Sequence, residues 1–503
     1  MNRHPLSFLN LKKVPYTTIL MGSLTTTAIL LGISQQPLGK SNPVASSIAH
    51  FTRLDLLDIQ KQMKDSRFAM PTFDKEKSAQ VMPDAKGIDP KDGQVKPLSL
   101  WDSWPVTDQD GRVANYHGYR LTIALSAVGK RRDKKGVKMA LFAQKIDDKN
   151  TAPDSWIYLG YVLNSFTEGS ESSDETIKKI NNEWSGSAAM MNPQDDTIRV
   201  FYTGAMTQHG QAQSLSTVQV SVEPKDGSNW SSGLKVNHQK AADHETVFLG
   251  DGKIYQTVNQ IKSKNDSFAM RDPHFVSANG HYYLTFEGNT EKNYGNGQVT
   301  LNSPEDYGSL ESYSSERKKM ATNNELGSKV ALASGAIGLL ELNHDFTVKT
   351  VKAPLLMTSS ANDITERPDL FFYKNKWYLF TCFQGKSLAT TDRRFMDENF
   401  LYGYVSTTGI DGPYEKLNKT GLVLGSNTKR NTRKFTYAYT VLPPKDERDD
   451  AFLITSFTGD RTFAPSVGLT IKGNETWVQN QKVYDQGALS LDGATLPSKP
   501  QPW

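Results

Sequence analysis

The chain has 503 residues, with 58 Lys and Arg against 54 Asp and Glu, a formal charge of +4. So even a balance offers no electrostatic case for a nucleic-acid partner. A single cysteine, Cys382, excludes an intramolecular disulfide and a thiolate metal cluster, and its apolar surroundings at 377–382 read as a buried small hydrophobe.

Taken in chain order, Arg3, His4, Lys12 and Lys13 precede the uncharged stretch 14–39, whose apolar part is 19–33. This is the pattern of an export signal. Thr25, Thr26 and Thr27 and the lack of a second such stretch favour it over a membrane span. Ser47-Ile48-Ala49 has the small-x-small form of a cleavage site. Residues 1–49 are therefore expected to be signal peptide and linker, and 50–503 a single domain. The mature protein is expected to be secreted, free of the membrane, and monomeric.

Thr52 opens a predicted helix, because Thr52-x-x-Asp55 imitates a capping box. Phe51, Leu54, Leu57 and Ile59 supply an apolar face at roughly helical spacing. Residues 64–97 are polar with Pro71, Pro83, Pro90 and Pro97, a stretch expected to wrap over a surface. In Trp101-Asp102-Ser103-Trp104-Pro105 the proline is expected to stop the run from continuing as a helix or central strand.

Beyond it the pattern becomes short strands at 119–125, 139–143, 156–161, 198–203, 281–286, 377–380 and 451–456. Each is rich in β-branched and aromatic residues and bounded by turn formers. Asn279-Gly280 and Asn375-Lys376 are the hairpin-turn sites ahead of two of them. The basic run 130–136 reads as a solvated turn. Asp108-Gln109-Asp110-Gly111 reads as another turn, and Asn418 and Asn474 as ordinary loop residues. Strand–turn repetition of this kind indicates an all-β fold. A β-propeller fits best and a pair of β-sandwiches is the alternative, with periodicity leaving the blade count open.

Three acidic motifs carry the chemistry: Asp102 between its tryptophans, Arg271-Asp272-Pro273, and Glu366-Arg367-Pro368. Singly, each has an ordinary structural reading as a turn cap, an ion pair or a surface pair. Together they suit glycoside chemistry, which needs one carboxylate as nucleophile and one as acid/base. Tryptophan beside a carboxylate suits a sugar ring, and arginine beside an acid holds its geometry.

These motifs, with Glu183-Trp184-Ser185-Gly186-Ser187, Asp363-x-x-Glu366 and the segments 51–55, 403–406, 412–414, 417–423 and 463–466, resemble the levansucrase and inulosucrase family of bacterial fructosyltransferases. The resemblance runs from about His50 to the C-terminus. It implies a five-bladed propeller with a funnel-shaped central pocket, and a retaining mechanism on sucrose with fructan or oligosaccharide acceptors. Asp102 would be nucleophile, Glu366 acid/base and Asp272 stabiliser. Trp101, Trp184 and Ser185 would line the fructosyl subsite, and Arg271, Glu287, Arg367 and Tyr437 would complete the network. Because the acid must hold a proton while the nucleophile stays ionised, Glu366 and Asp102 are expected to sit in different environments.

Three positions depart from the family pattern: Gln384 where an arginine contacts the glucosyl side, Ile364 near the glucose, and Ser267 where an asparagine guides the polymer. They imply weaker acceptor control, with more hydrolysis or short products. No cofactor is implied for catalysis. A structural calcium is implied, at Asp266, Asp363, the Leu332 carbonyl and Gln298, with Ser334 replacing the usual asparagine.

Overall fold

The computed structural model describes residues 48–501 except 130–135, 149–152, 165–171, 262–265, 292–293, 295–303, 428–435 and 447–448. The predicted signal, the charged part of the basic run and Gln298 lie outside the described residues.

The protein is mostly β, and its long strands form consecutive four-stranded antiparallel meanders. The first contains β1 (Val95–Thr107), β2 (Tyr119–Val128), β3 (Lys138–Lys145) and β4 (Ile157–Tyr161). The second contains β5 (Asn182–Ala189), β6 (Thr197–Ala205), β7 (Gln213–Pro224) and β8 (Leu234–Phe248). It continues the sheet of the first, because β1 and β5 pair in parallel at Val106↔Ala188 and Thr107↔Ala189. The third contains β9 (Met270–Ala278), β10 (His281–Asn289), β11 (Gly335–Leu342) and β12 (Val348–Met357). The fourth contains β13 (Glu366–Tyr373), β14 (Lys376–Gln384), β15 (Asn399–Ser406) and β16 (Leu422–Gly425). The fifth contains β17 (Thr436–Leu442), β18 (Ala451–Thr458), β19 (Val467–Lys472) and β20 (Glu475–Gln479).

Hydrophobic clusters lie between successive meanders and follow them round a ring. Leu121 and Leu141 pack with Val200 and Val218, and Phe201 with Phe275 and Leu340. Leu339 packs with Leu379 and Tyr402, and Phe380 with Val441 and Leu469. Leu442 and Phe463 of the fifth then pack with Leu100 and Phe142 of the first, which closes the ring. Sheets covered on both faces read as nearly continuous apolar runs rather than as alternation. In β2 only Val128 escapes full burial.

The expected strands all form. The hairpin at Asn279-Gly280 has positive φ at both central residues (51° and 78°), as a two-residue primed turn requires. In the next hairpin the central residues are Lys374 and Asn375 (φ 48° and 59°), one position earlier than expected, since Tyr373 already pairs with Lys376. Pro105 does not stop its strand. β1 runs through Pro97 and Pro105, and Pro105 pairs with Thr122 on one side only. On the other side the ladder to β5 begins only at Val106, so the missing N–H of Pro105 removes nothing from it.

Among the described residues the predicted N-terminal helix forms as α1 (Arg53–Gln62), whereas α2 (Leu310–Thr322) and α3 (Asn324–Leu332) were not expected. The α2–α3 pair is inserted between β10 and β11, and α2 buries only Ser312, Glu316 and Met320, too narrow an apolar face to show in the sequence. The capping box of α1 is present, with Thr52 N–H donating to Asp55 Oδ2 at 2.7 Å. Its buried face is different from the expected one. Leu54 and Leu57 are exposed, and Arg53, Asp55, Leu56 and Ile59 are buried. The cause is Arg53, whose guanidinium donates to Glu316 of α2 (2.6 and 2.8 Å) and to the carbonyls of Ser360 and Ala389. Residues 64–97 do wrap the surface: Met70 N–H donates to Gly425 O, Thr72 N–H to Lys499 O, and Gln80 N–H to the Gln486 side chain.

Arg53 and Glu316 are each 2% exposed at the side chain. Removing one partner of a buried pair costs about 3–5 kcal/mol. Arg53→Ala is expected at the low end, because Lys319 also reaches Glu316 at 2.7 Å. Thermal unfolding followed by circular dichroism checks it, with a clearly lowered midpoint as the expected result.

Candidate active site on the axial strands

Every axial strand carries a β-bulge, a device that kinks a strand and re-aims a side chain. The register breaks between Trp101 and Ser103 in β1, Trp184 and Gly186 in β5, and Arg271 and His274 in β9. It breaks again between Glu366 and Asp369 in β13, and between Tyr437 and Thr440 in β17. Asp102, Asp272, Arg367 and Ala438 take left-handed backbone there (φ 22°, 55°, 59° and 56°). Such conformations cost about 1–3 kcal/mol each and persist only where surroundings enforce them. In β5 a glycine serves instead, since a Cβ on Gly186 would come within 1.9 Å of the Phe201 carbonyl oxygen.

The bulges bring the three predicted acids together. Asp102, half-buried, accepts a hydrogen bond from Ser185 Oγ at 2.7 Å. Asp272, buried, accepts from the Arg367 backbone N–H at 3.0 Å, and its own N–H donates to Thr203 Oγ1 at 2.8 Å. The Glu366 side chain is 17% exposed, and its carboxylate lies 3.6 Å from Arg271 Nη2. It also accepts from Gln384 Nε2 at 2.5 Å and from the Tyr437 hydroxyl. The two surroundings differ: Asp102 meets a neutral hydroxyl, whereas Glu366 meets a guanidinium, an amide and a phenol.

Burial pushes the Asp272 carboxyl up to about 6. Arg271 and Arg367 oppose that rise, while the negative charges of Glu366 and Asp102 add to it. Arg271 grips Glu287 with two hydrogen bonds, 2.8 and 2.9 Å long. Burial disfavours the Arg271 cation, but Glu287, Glu366 and Asp272 together hold it protonated. Arg367 spans three strands. Its Nη2 donates to Ser103 O and Thr440 Oγ1, both at 2.8 Å, and its guanidinium lies 5.3 Å from the Trp104 ring.

Trp101 is half-buried and packs against two core clusters. Arg461, which no sequence signal marked, lies over its ring at 4.8 Å. Trp184 is likewise half-buried, whereas Trp104 is 3% exposed and is core. Glu183, inside a recognised motif, is structural: its carboxylate accepts from Met139 N–H at 2.7 Å. Thr203, Thr440 and Asp369 were also missed, and only Asp369 had a signal, as an acid three residues after Glu366. Cys382 is fully buried, as expected. Asn418, expected to be a loop residue, is buried by hydrogen bonds to Leu422 O and Thr476 Oγ1.

Of the expected calcium positions, Asp266 and Asp363 lie close together. Burial and the Asp266 charge raise the Asp363 carboxyl to about 7. Asn289 Nδ2 donates to Ser334 Oγ at 3.3 Å and to Asp363 Oδ1 at 3.4 Å. Among the described residues no group of three or more His, Cys, Asp or Glu side chains converges on one point. The donor set is thus two carboxylates with neutral oxygens, the hard-oxygen chemistry that suits calcium.

A ring of β-meanders with three carboxyl groups meeting on its axial strands, one beside a tryptophan, defines a carbohydrate-active protein of the glycoside-cleaving class. The levansucrase/invertase family profile, glycoside hydrolase family 68, matches residues 41–490, and the chain belongs to that family. It is 35% identical to the levansucrase of Bacillus subtilis over 95% of this chain and 97% of that one. It is 34% identical to a Geobacillus stearothermophilus protein named an inactive levansucrase, over 95% and 97% of the two chains. Among solved structures, a variant of the B. megaterium levansucrase superposes with a TM-score of 0.81 at 36% identity, covering 88% of this chain and 98% of that one. A levansucrase variant solved with sucrose gives 0.78 at 36% identity, with the same coverage.

Asp272, raised to about 6, and Asp369, which burial raises to about 7, hold protons that the unfolded chain releases near pH 4. Where the native state binds more protons, stability falls as pH rises. The contribution of this pair is full below about pH 4 and is lost as pH climbs through 6 and 7. Melting temperatures between pH 4.5 and 8 are expected to show this descending component, and replacing both acids by asparagine is expected to make it shallower, leaving the share of Asp363.

Proposed function

We propose that this protein is a secreted, sucrose-dependent fructosyltransferase of the levansucrase type, built as a five-bladed β-propeller with a funnel-shaped central pocket. Residues 1–49 serve as signal and linker, and 50–503 as the catalytic domain. The observation that carries the reading is the convergence of Asp102, Asp272 and Glu366 on bulged axial strands, each acid with its own donors. One similar family member is named inactive, so membership alone would not suffice.

The reaction runs as a double displacement. Asp102 attacks the fructosyl anomeric carbon while Glu366 gives its proton to the departing glucose oxygen. Ser185 engages Asp102 Oδ2, which leaves Oδ1 for the new bond. Asp272, held by the Arg367 backbone, binds the fructosyl hydroxyls as positive charge develops on the ring. Glu366 then takes a proton from the acceptor hydroxyl, whose oxygen attacks the same carbon and frees Asp102. The three carboxyl groups supply this chemistry without a cofactor. The acceptor is sucrose, a growing fructan or water.

Hydrolysis is the second reading, favoured by one observation. Gln384 spends its amide on Glu366 instead of presenting a guanidinium to the glucosyl side. Incubation with sucrose separates the two: free glucose well above free fructose is expected for transfer, equal amounts for hydrolysis. Asp102→Ala, Asp272→Ala and Glu366→Ala are each expected to lower turnover on the order of 1,000-fold or more while the circular dichroism spectrum is kept. No reducing sugar from sucrose in the wild type would leave a non-catalytic carbohydrate-binding ring.

A structural calcium is part of the same proposal, held by Asp266, Asp363 and the Leu332 carbonyl, with Ser334 and Asn289 beside them. It would offset the burial and the Asp266 charge that together lift Asp363. Chelator is expected to lower the melting temperature and added calcium to restore it. An unchanged midpoint would remove the ion from the proposal.

A further inference from the structure

Glu366 stands on β13, and the Tyr437 hydroxyl that reaches it stands on β17. The two strands belong to different sheets, and among the described residues no ladder pairs them. Both are also bulged close to the contact. Something other than sheet register must therefore hold them at matching heights.

Two side chains of β13 do so. Arg367 Nη2 donates to Thr440 Oγ1, and Asp369 Oδ2 accepts the backbone N–H of Val441 at 2.7 Å. Arg367 has other work, because it also serves Asp272 and Ser103. Asp369 has none of that kind. It is 6% exposed and sits three residues past Glu366. It lines a pocket with Asp272, His274, Arg367 and Thr440 among its neighbours; Asp102, Glu366 and Tyr437 are not on that wall. His274 Nε2, 3.8 Å from Asp369 Oδ1, is directed to the Leu370 carbonyl at 3.0 Å. A carboxyl buried at the axis is costly to keep, and the bond it makes goes to the strand that carries Tyr437.

We propose that Asp369 is a positioning residue for the general acid: by holding Val441 it keeps β17 at the height where Tyr437 meets Glu366. It touches no substrate and acts through Tyr437. The inference rests on the assignment of Glu366 above, and its tests separate the two.

Asp369→Ala removes the acceptor for Val441, whereas Asp369→Asn keeps a carbonyl oxygen in its place. With sucrose as substrate, Asp369→Ala is expected to lower kcat about 10- to 100-fold, the scale of a displacement near 1 Å, with KM within about threefold. Asp369→Asn is expected to recover most of that loss. In a Tyr437→Phe background, Asp369→Ala should add less than about twofold, because the contact it positions is already gone. Asp369→Ser enters the same cycle if the alanine variant does not fold. Equal losses in both backgrounds, an alanine variant with wild-type kcat, or an asparagine variant no better than alanine would each overturn the proposal.

Amide hydrogen exchange over 436–442 reads the same displacement without turnover. Exchange is expected to quicken in Asp369→Ala and stay unchanged in Asp369→Asn, and protected amides in the alanine variant would refute the positioning role. A wild type that leaves sucrose intact while the variants show this exchange pattern would sink the enzymatic reading and leave the strand-holding role standing.

Discussion

Arg367 is the residue on which the site's geometry depends. Its backbone N–H fixes Asp272, its guanidinium joins Ser103 of β1 to Thr440 of β17, and its charge offsets the burial of a carboxylate. It can do all three because its backbone lies in the left-handed region (φ 59°), which turns the N–H and the side chain toward different strands. A guanidinium, with a planar fork of donors, suits a role that lysine's single ammonium could not fill. The strain of four left-handed non-glycine bulge residues is held in place by these cross-strand bonds. The bulges in turn aim Asp102 and Asp272 inward.

Polar bonds circle the axis as the hydrophobic clusters circle further out. Ser185 links β5 to β1, Ser187 accepts from Phe275 N–H of β9, and His274 reaches Leu370 of β13. Asp369 links β13 to β17, and Leu100 N–H donates to Arg461 O to bring the fifth meander back to the first. Apolar burial supplies the driving force and leaves orientation loose; the polar circle supplies orientation at the one place where chemistry demands it.

Much of this was legible in the sequence. β-branched runs between turn formers marked the strands, and the acidic motifs marked the three carboxylates, because charged residues beside Trp, Arg and Pro stand out from a strand pattern. A proline misled. Pro105 looked like a strand end, yet it sits inside β1, paired with Thr122 just before the stretch that joins β5. Thr203 and Thr440 were invisible, since a threonine in a strand is ordinary and its hydroxyl gains meaning only from the strand packed against it. The α1 face was misjudged for the same reason: nothing local shows that Arg53 will be buried by Glu316, far along the chain. The α2–α3 insertion hides behind its charge.

The wrapping segment that precedes β1 bears on how the molecule forms. Ala49 and His50 pair with Leu356 and Met357, Met70 binds Gly425 and accepts from Gln501 N–H, and Gln80 meets Gln486, 406 residues away. Closing loops of that length is entropically expensive, and contacts so distant in sequence form late. Residues made early thus wait for partners made much later. The segment gains its grips in stages, on the third meander at Leu356, on the fourth at Gly425, and last on Gln486 and Gln501 beyond the fifth.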